Sequence, residues 1–120
     1  MASWTPSAGL IATFIDTLID AWNRGDEPAF GARFGPEASD IDGEGHWWRG
    51  RRAIEALRRG SPVTSAVLLE PGAAIRIHPP AASLVFRWTS DSQRGVCSGL
   101  AIGRDGQWSI ESLQNSDVRE

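Results

Sequence analysis

Before residue 60 the apolar side chains recur at three- and four-residue spacing, whereas from residue 66 onward they fall mostly at every second position. The first spacing gathers side chains on one stripe of a helix, and the second sets them on alternate faces of a strand. A chain that switches once from the helical to the extended pattern is an α+β protein. Its helices come first, and a long antiparallel meander follows. Its 120 residues form one domain, 1–120, large enough to bury about two-thirds of the unfolded surface.

In the helical part, Ile11, Phe14, Ile15, Leu18, Ile19 and Trp22 make an apolar stripe opposite Asp16, Asp20 and Arg24. Thr5 is the expected N-cap, with Pro6 at the first helical position and Gly25 as the stop. Asp26 caps a second, short helix with Pro28 in its first turn and Phe30 and Phe34 pointing inward, and Gly35-Pro36 ends it. A third helix fits Arg51 to Arg59, between Gly50 and Gly60-Ser61-Pro62.

The extended part begins with residues 66–77, bent at Pro71-Gly72, and breaks at His78-Pro79-Pro80. In the strand 82–89, Leu84, Phe86 and Trp88 share the face opposite Val85, Arg87 and Thr89. A turn at 90–93 leads into the strand 94–103, and Asp105-Gly106 marks a tight hairpin into 107–115. Along 94–103, Gly95, Cys97, Gly99, Ala101 and Gly103 fall on one face. Such a row accommodates a close approach or a kink, or leaves a low floor beneath a cavity; both can hold.

Net charge of −3 and a pI near 5.3 give no pull toward nucleic acid or anionic membrane. The N-terminal stretch lacks a basic region and its apolar residues are broken by Asp16 and Asp20, so neither a signal peptide nor a membrane span is expected. The single Cys97 excludes an internal disulfide and fits a reducing cytoplasm.

The densest chemistry lies in residues 39–52, SDIDGEGHWWRGRR. Counted from Asp40, its carboxylates and glycine imitate half a calcium loop, but Arg51 stands where the closing carboxylate belongs. Two histidines and one cysteine are scattered at no zinc spacing, so no metal is expected. The arginines suit an exposed helix in which Arg51–Glu55 and Glu55–Arg59 pair one turn apart. Asp42, beside Gly43 at a hairpin, is the best candidate for chemistry. Walled by tryptophan it would have a raised pKa, the condition for a general base, with His46 bonded to it or to a ligand. The alternative is an exposed hairpin carboxylate. If 46–48 is extended, either Trp47 or Trp48 faces inward. Arg76, Arg87 and Glu111 lie inside strands and face either a pocket or solvent.

Three pieces, in order, carry a resemblance: Ala21-Trp22-Asn23-Arg24-Gly25-Asp26, Trp48-Arg49-Gly50-Arg51-Arg52-Ala53-Ile54, and Trp108-Ser109-Ile110 followed by Gln114-Asn115. Across residues 8–116 the chain resembles the SnoaL-like, SgcJ/EcaC-type branch of the nuclear transport factor 2-like, ketosteroid isomerase-like superfamily. The resemblance implies a cone, a strongly bent antiparallel sheet around a pocket that the N-terminal helices close, in a homodimer packed through the sheet. It places Asp42 where the isomerases carry their general base. Their oxyanion-hole tyrosine corresponds to Leu18 here and their protonated aspartate to about Ser98, so their own reaction is not expected. Two readings stay open. One is a cofactor-free isomerase, cyclase or lyase, with Asp42 and His46 catalytic and Trp22, Trp48, Trp88, Leu18, Ser98, Arg87 and Glu111 holding a small apolar substrate. The other is a pocket or dimerisation module without turnover.

Overall fold

The computed structural model describes residues 7–62 and 65–118. Helix α1 spans Ala8–Arg24 and buries Ile11, Phe14, Ile15, Leu18 and Ala21. Its cap is Ser7, whose hydroxyl accepts from the Leu10 amide at 3.2 Å; Thr5 and Pro6 lie outside the described residues. Gly25 closes α1 in the left-handed conformation (φ 66°), which costs glycine least. Asp26 then caps α2, Glu27–Gly31, by accepting from the Ala29 amide at 3.1 Å. Helix α3 covers Arg51–Gly60.

The strands are β1 Phe34–Ile41, β2 Trp47–Arg49, β3 Leu68–Leu69, β4 Ala74–His78, β5 Ala81–Thr89, β6 Arg94–Arg104 and β7 Gln107–Asp117. They form one curved, unclosed sheet in the order β2-β1-β7-β6-β5-β3, with β4 following β3 along the outer edge of β5. Pro71 and Gly72 separate those two edge strands. The Asp105-Gly106 hairpin has both residues at positive φ (52° and 80°), the conformation the Asp-Gly pair favours. Pairing is antiparallel except between β1 and β7, which run parallel.

Gly35 and Pro36 do not end a helix, contrary to the sequence expectation: α2 stops at Gly31 and both residues lie in β1. The β1–β7 register slips between Phe34 and Ser39. Pro36 has no N–H to give a ladder and sits where the ladder is interrupted. Helix α3 also departs from expectation. Among the described residues its arginines do not pair with Glu55. Arg51 donates to the Phe34 carbonyl (2.8 and 3.3 Å), and Arg59 bonds Glu27 at 2.9 Å. Arg58 is buried and lies over the Trp22 ring, 4.6 Å from its centroid.

One irregularity orients the sheet. Leu100 pairs with Ser112 but Ala101 pairs with Ile110, so Glu111 is an extra residue in β7. A bulge of this kind reverses the pleat. Trp108 and Ile110 face the core before it, and Leu113, Asn115 and Asp117 face the same way after it. Gly99, paired with Leu113 just beyond the bulge, is where an added Cβ would collide with the Ser112 carbonyl oxygen. The core of Ile11, Ile15, Leu18, Phe34, Leu84 and Ile110 fills one end of the space between helices and sheet. No helix among the described residues is long and apolar enough to cross a membrane.

Candidate functional site

The other end of that space is a cavity of about 550 Å³. Leu18, Ile19 and Trp22 of α1, Phe30 of α2 and Leu57 of α3 form one wall; the inner faces of the sheet strands form the other. Of the Ala21–Asp26 stretch, Trp22 lines the cavity. Trp22 meets Phe30 edge-on, with ring centroids 5.2 Å apart. Asn23 clamps the backbone of Val67, donating to its carbonyl at 2.9 Å and accepting from its amide at 2.8 Å. This holds Ser65 and Val67 across the opening.

Two aspartates on one strand share this cavity and differ sharply. Asp40 pairs with Trp48 on β2 and with Leu113 on β7, and its side chain lines the cavity wall. Only 5% of its surface remains exposed, and among the described residues its carboxylate has no hydrogen bond. Burial, reinforced by the nearby Asp42 charge, pushes its pKa up to about 7. Asp42 lies two residues on, at the hairpin. Burial would raise it too, but its bonds prevail. It accepts from the Trp48 indole at 3.0 Å, the His46 amide at 3.0 Å and the Glu44 amide at 2.9 Å, with His46 Nδ1 at 3.2 Å. Together these hold its pKa below the ordinary carboxylate value. The raised pKa expected at Asp42 is therefore found at Asp40, and that of Asp42 is lowered instead.

The facing wall is a relay anchored on Asn115. Its side-chain oxygen accepts from the Trp88 indole at 2.7 Å and from the Cys97 thiol at 3.5 Å, while its amide donates to Asp117 at 2.8 Å. Trp88 lies over Gly95, where a Cβ would come within 2.7 Å of the ring. Gly43 similarly makes room for the Asp117 carboxylate beside the hairpin. The small-residue row thus serves close approach at Gly95 and Gly99, and the indole laid on Gly95 is itself a cavity wall. Burial pushes the Cys97 thiol up to about 12, helped by the Asp40 and Asp117 charges, so it is not a nucleophile near neutral pH.

Of the residues expected at a site, Leu18, Trp22, Asp42, His46, Trp48 and Trp88 line the cavity. Trp47 is the tryptophan that turns outward, 59% exposed. Arg87 and Ser98 do not reach the cavity: each alternates with inward neighbours (Phe86 and Trp88, Cys97 and Gly99) and points from the outer face. Glu111 is the bulge residue and lies against Gly35, also away from the cavity. Asp40, Asn115 and Asp117 were not expected to line it, and Cys97 only as part of the small-residue floor. Among the described residues no group of three or more His, Cys, Asp or Glu is arranged to hold a metal ion.

Asp40 leaves a signature in stability. Its folded pKa of about 7 exceeds the ordinary 3.8, so between those values the folded chain binds a proton that the unfolded chain releases. Stability consequently falls as pH rises through this window, by on the order of 4 kcal/mol in full. Asp42 acts with opposite sign and below the window, its contribution being lost only as pH falls through its lowered pKa. Asp40→Asn should therefore gain roughly 2–4 kcal/mol over wild type at about pH 8 and little at about pH 4. Urea denaturation at the two pH values checks this; an equal effect at both contradicts a buried, raised Asp40.

No family model matches the chain, and no curated protein does. Solved structures do. A domain of unknown function with a cystatin-like fold from Nostoc punctiforme is 25% identical, over 98% of this chain and 81% of that one, with a TM-score of 0.79. An NTF2-like protein with a cystatin-like fold from Novosphingobium aromaticivorans is 16% identical over 92% and 80%, at 0.79. A ketosteroid isomerase-like protein from Erwinia carotovora atroseptica is 12% identical over 98% and 100%, at 0.78. The chain has the cystatin-like fold of these structures.

Proposed function

We propose that the protein binds a small, largely apolar organic molecule in the cavity and moves a proton on it. Asp40 is the acid–base group; burial raises its proton affinity, and Asp42 is the neighbouring charge that adds to it. The observation that carries this reading is Asp40 itself, a residue only 5% exposed whose side chain nonetheless lines a ligand-sized, tryptophan-walled space. With a pKa of about 7 it can both take and return a proton near neutral pH. In the step, the Asp40 carboxylate accepts a proton from a substrate carbon, and the C–H electron pair moves into the substrate's own conjugated system. The protonated carboxyl then gives the proton back at another atom, completing an isomerisation or cyclisation, or to a leaving group, completing an elimination.

Three side-chain donors along the wall are already committed: Trp48 to Asp42, Trp88 to Asn115, and the Asn115 amide to Asp117. Both indoles and one of the two Asn115 N–H groups are thereby taken from any oxyanion, so the reading favours substrates that delocalise charge themselves and does not extend to ketosteroid isomerisation. The same commitment favours a second reading, a binding module without turnover. The SnoaL-like assignment rests on the sequence motifs and is kept as part of the proposal.

The protein also pairs with a second copy through the outer face of its sheet. Val85 and Leu100 are exposed there on neighbouring strands, with Val96 and Ile102 half-buried on the same face. An apolar patch of this kind favours association.

Two experiments test these statements. Deuterium exchange into apolar enolisable ketones, followed by NMR, should be accelerated by the protein and fall roughly a hundredfold in Asp40→Asn, with ligand-induced quenching of tryptophan emission retained. Undiminished exchange in that variant removes Asp40 as the base; quenching without any exchange favours the binding module. Sedimentation should give twice the 13.0 kDa chain mass for wild type and the chain mass for Leu100→Glu, whereas a monomeric wild type contradicts the pairing.

A further inference from the structure

Four carboxylates border the cavity, those of Asp40, Asp42, Glu44 and Asp117, and His46 is the one basic side chain among its described lining residues. The chain has twelve arginines, yet none of the described lining residues is one. An acidic rim alone would be an ordinary solvated surface. Asp40 makes it more than that: it is more than nine-tenths buried, lines the same cavity and has no hydrogen bond among the described residues.

We infer that the cavity is built for an apolar organic cation, an amine whose ammonium group lies against Asp40, with Asp42 and Asp117 bordering the same cavity, and whose hydrocarbon body rests on Trp48 and Trp88. This rests on the cavity being a small-molecule site, and it adds the charge of the ligand. The carboxylates border one cavity, and the charge of Asp42 adds to the effect of burial in raising the proton affinity of Asp40. Gly43 lets the Asp117 carboxylate come against the hairpin that carries Asp42. Negative charges gathered at a poorly solvated wall repel one another, and a cation among them relieves that repulsion while restoring the hydrogen bonds that burial removed from Asp40.

The walls suit an organic rather than a simple ion. A space of about 550 Å³ far exceeds one ion, and no triad of ligating side chains among the described residues converges on a point. Indole faces attract ammonium groups. Trp22 is not the platform, because the Arg58 guanidinium lies 4.6 Å from its ring centroid. Arg58 itself donates to the Ser61 carbonyl at 2.7 Å and stands outside the lining. Trp48 and Trp88 hold their N–H groups on Asp42 and Asn115, leaving their faces to the ligand.

The test compares three probes of one shape, phenethylamine, phenethyl alcohol and phenylacetate, by saturation-transfer NMR and tryptophan quenching at low millimolar concentration. The amine should bind at least about tenfold more tightly than the alcohol, with phenylacetate weakest. Asp40→Asn and Asp117→Asn should each erase most of the amine's advantage while leaving the alcohol's affinity unchanged. Equal binding of amine and alcohol, or tightest binding of phenylacetate, overturns the cation inference and leaves the cavity reading standing. If none of the three probes binds, both fall.

Discussion

Asp40 sits between Trp48 on one neighbouring strand and Leu113 on the other, and a carboxylate so placed exchanges bulk water for indole and leucine. Its ionised form then costs on the order of 4 kcal/mol relative to an exposed aspartate. A protein retains such a cost where the group does something that a neutral residue could not. The rest of the site can be read as arrangements around that carboxylate: β1 and β7 run parallel to seat it, the helices keep the space before it open, and the hairpin holds a second charge beside it.

Two aspartates two residues apart end in opposite electrostatic states because one is buried without hydrogen bonds among the described residues and the other is held by four. Asp42 lies where the chain turns, so two backbone amides reach it, and the Trp48 indole and His46 ring add to them. Asp40 lies in a regular strand, where backbone amides are spent on neighbouring strands. Pairs of titratable groups driven apart in this way mark acid–base sites in general, since one member stays charged while the other exchanges protons near neutral pH. The anchored Asp42 keeps Asp40 protonatable, and Asp40 in turn helps hold the Cys97 thiol neutral.

The helical stripe, the meander, the Asp-Gly hairpin, the glycine floor and the tryptophan wall were legible because each follows from local periodicity or turn chemistry. The misses trace to phase. Gly35-Pro36 reads as a helix end, since both residues break helices, and that reading hides the strand whose alternation sets Asp40 beside Ala38 on the buried side. Strict alternation from Trp108 would send Asn115 and Asp117 outward. The extra residue Glu111 reverses them, and a bulge leaves no compositional mark when the bulged residue is an ordinary one. Ser98 points outward on a strand where Cys97 faces inward, which local alternation alone could not phase. The arginines of α3 show a different failure: i,i+4 spacing suggests pairing with Glu55, but the Phe34 carbonyl and Glu27 offer partners from elsewhere in the fold.

The central claim is that the proton-exchanging carboxylate is Asp40 and the permanently charged one is Asp42. Carboxyl carbon-13 NMR of the aspartates, assigned by Asp40→Asn and Asp42→Asn and titrated across acid and neutral pH, measures both directly. The account predicts that Asp40 titrates near 7 and Asp42 below the ordinary aspartate value. An Asp40 that titrates as an ordinary exposed aspartate, or an Asp42 that titrates above it, would contradict the account.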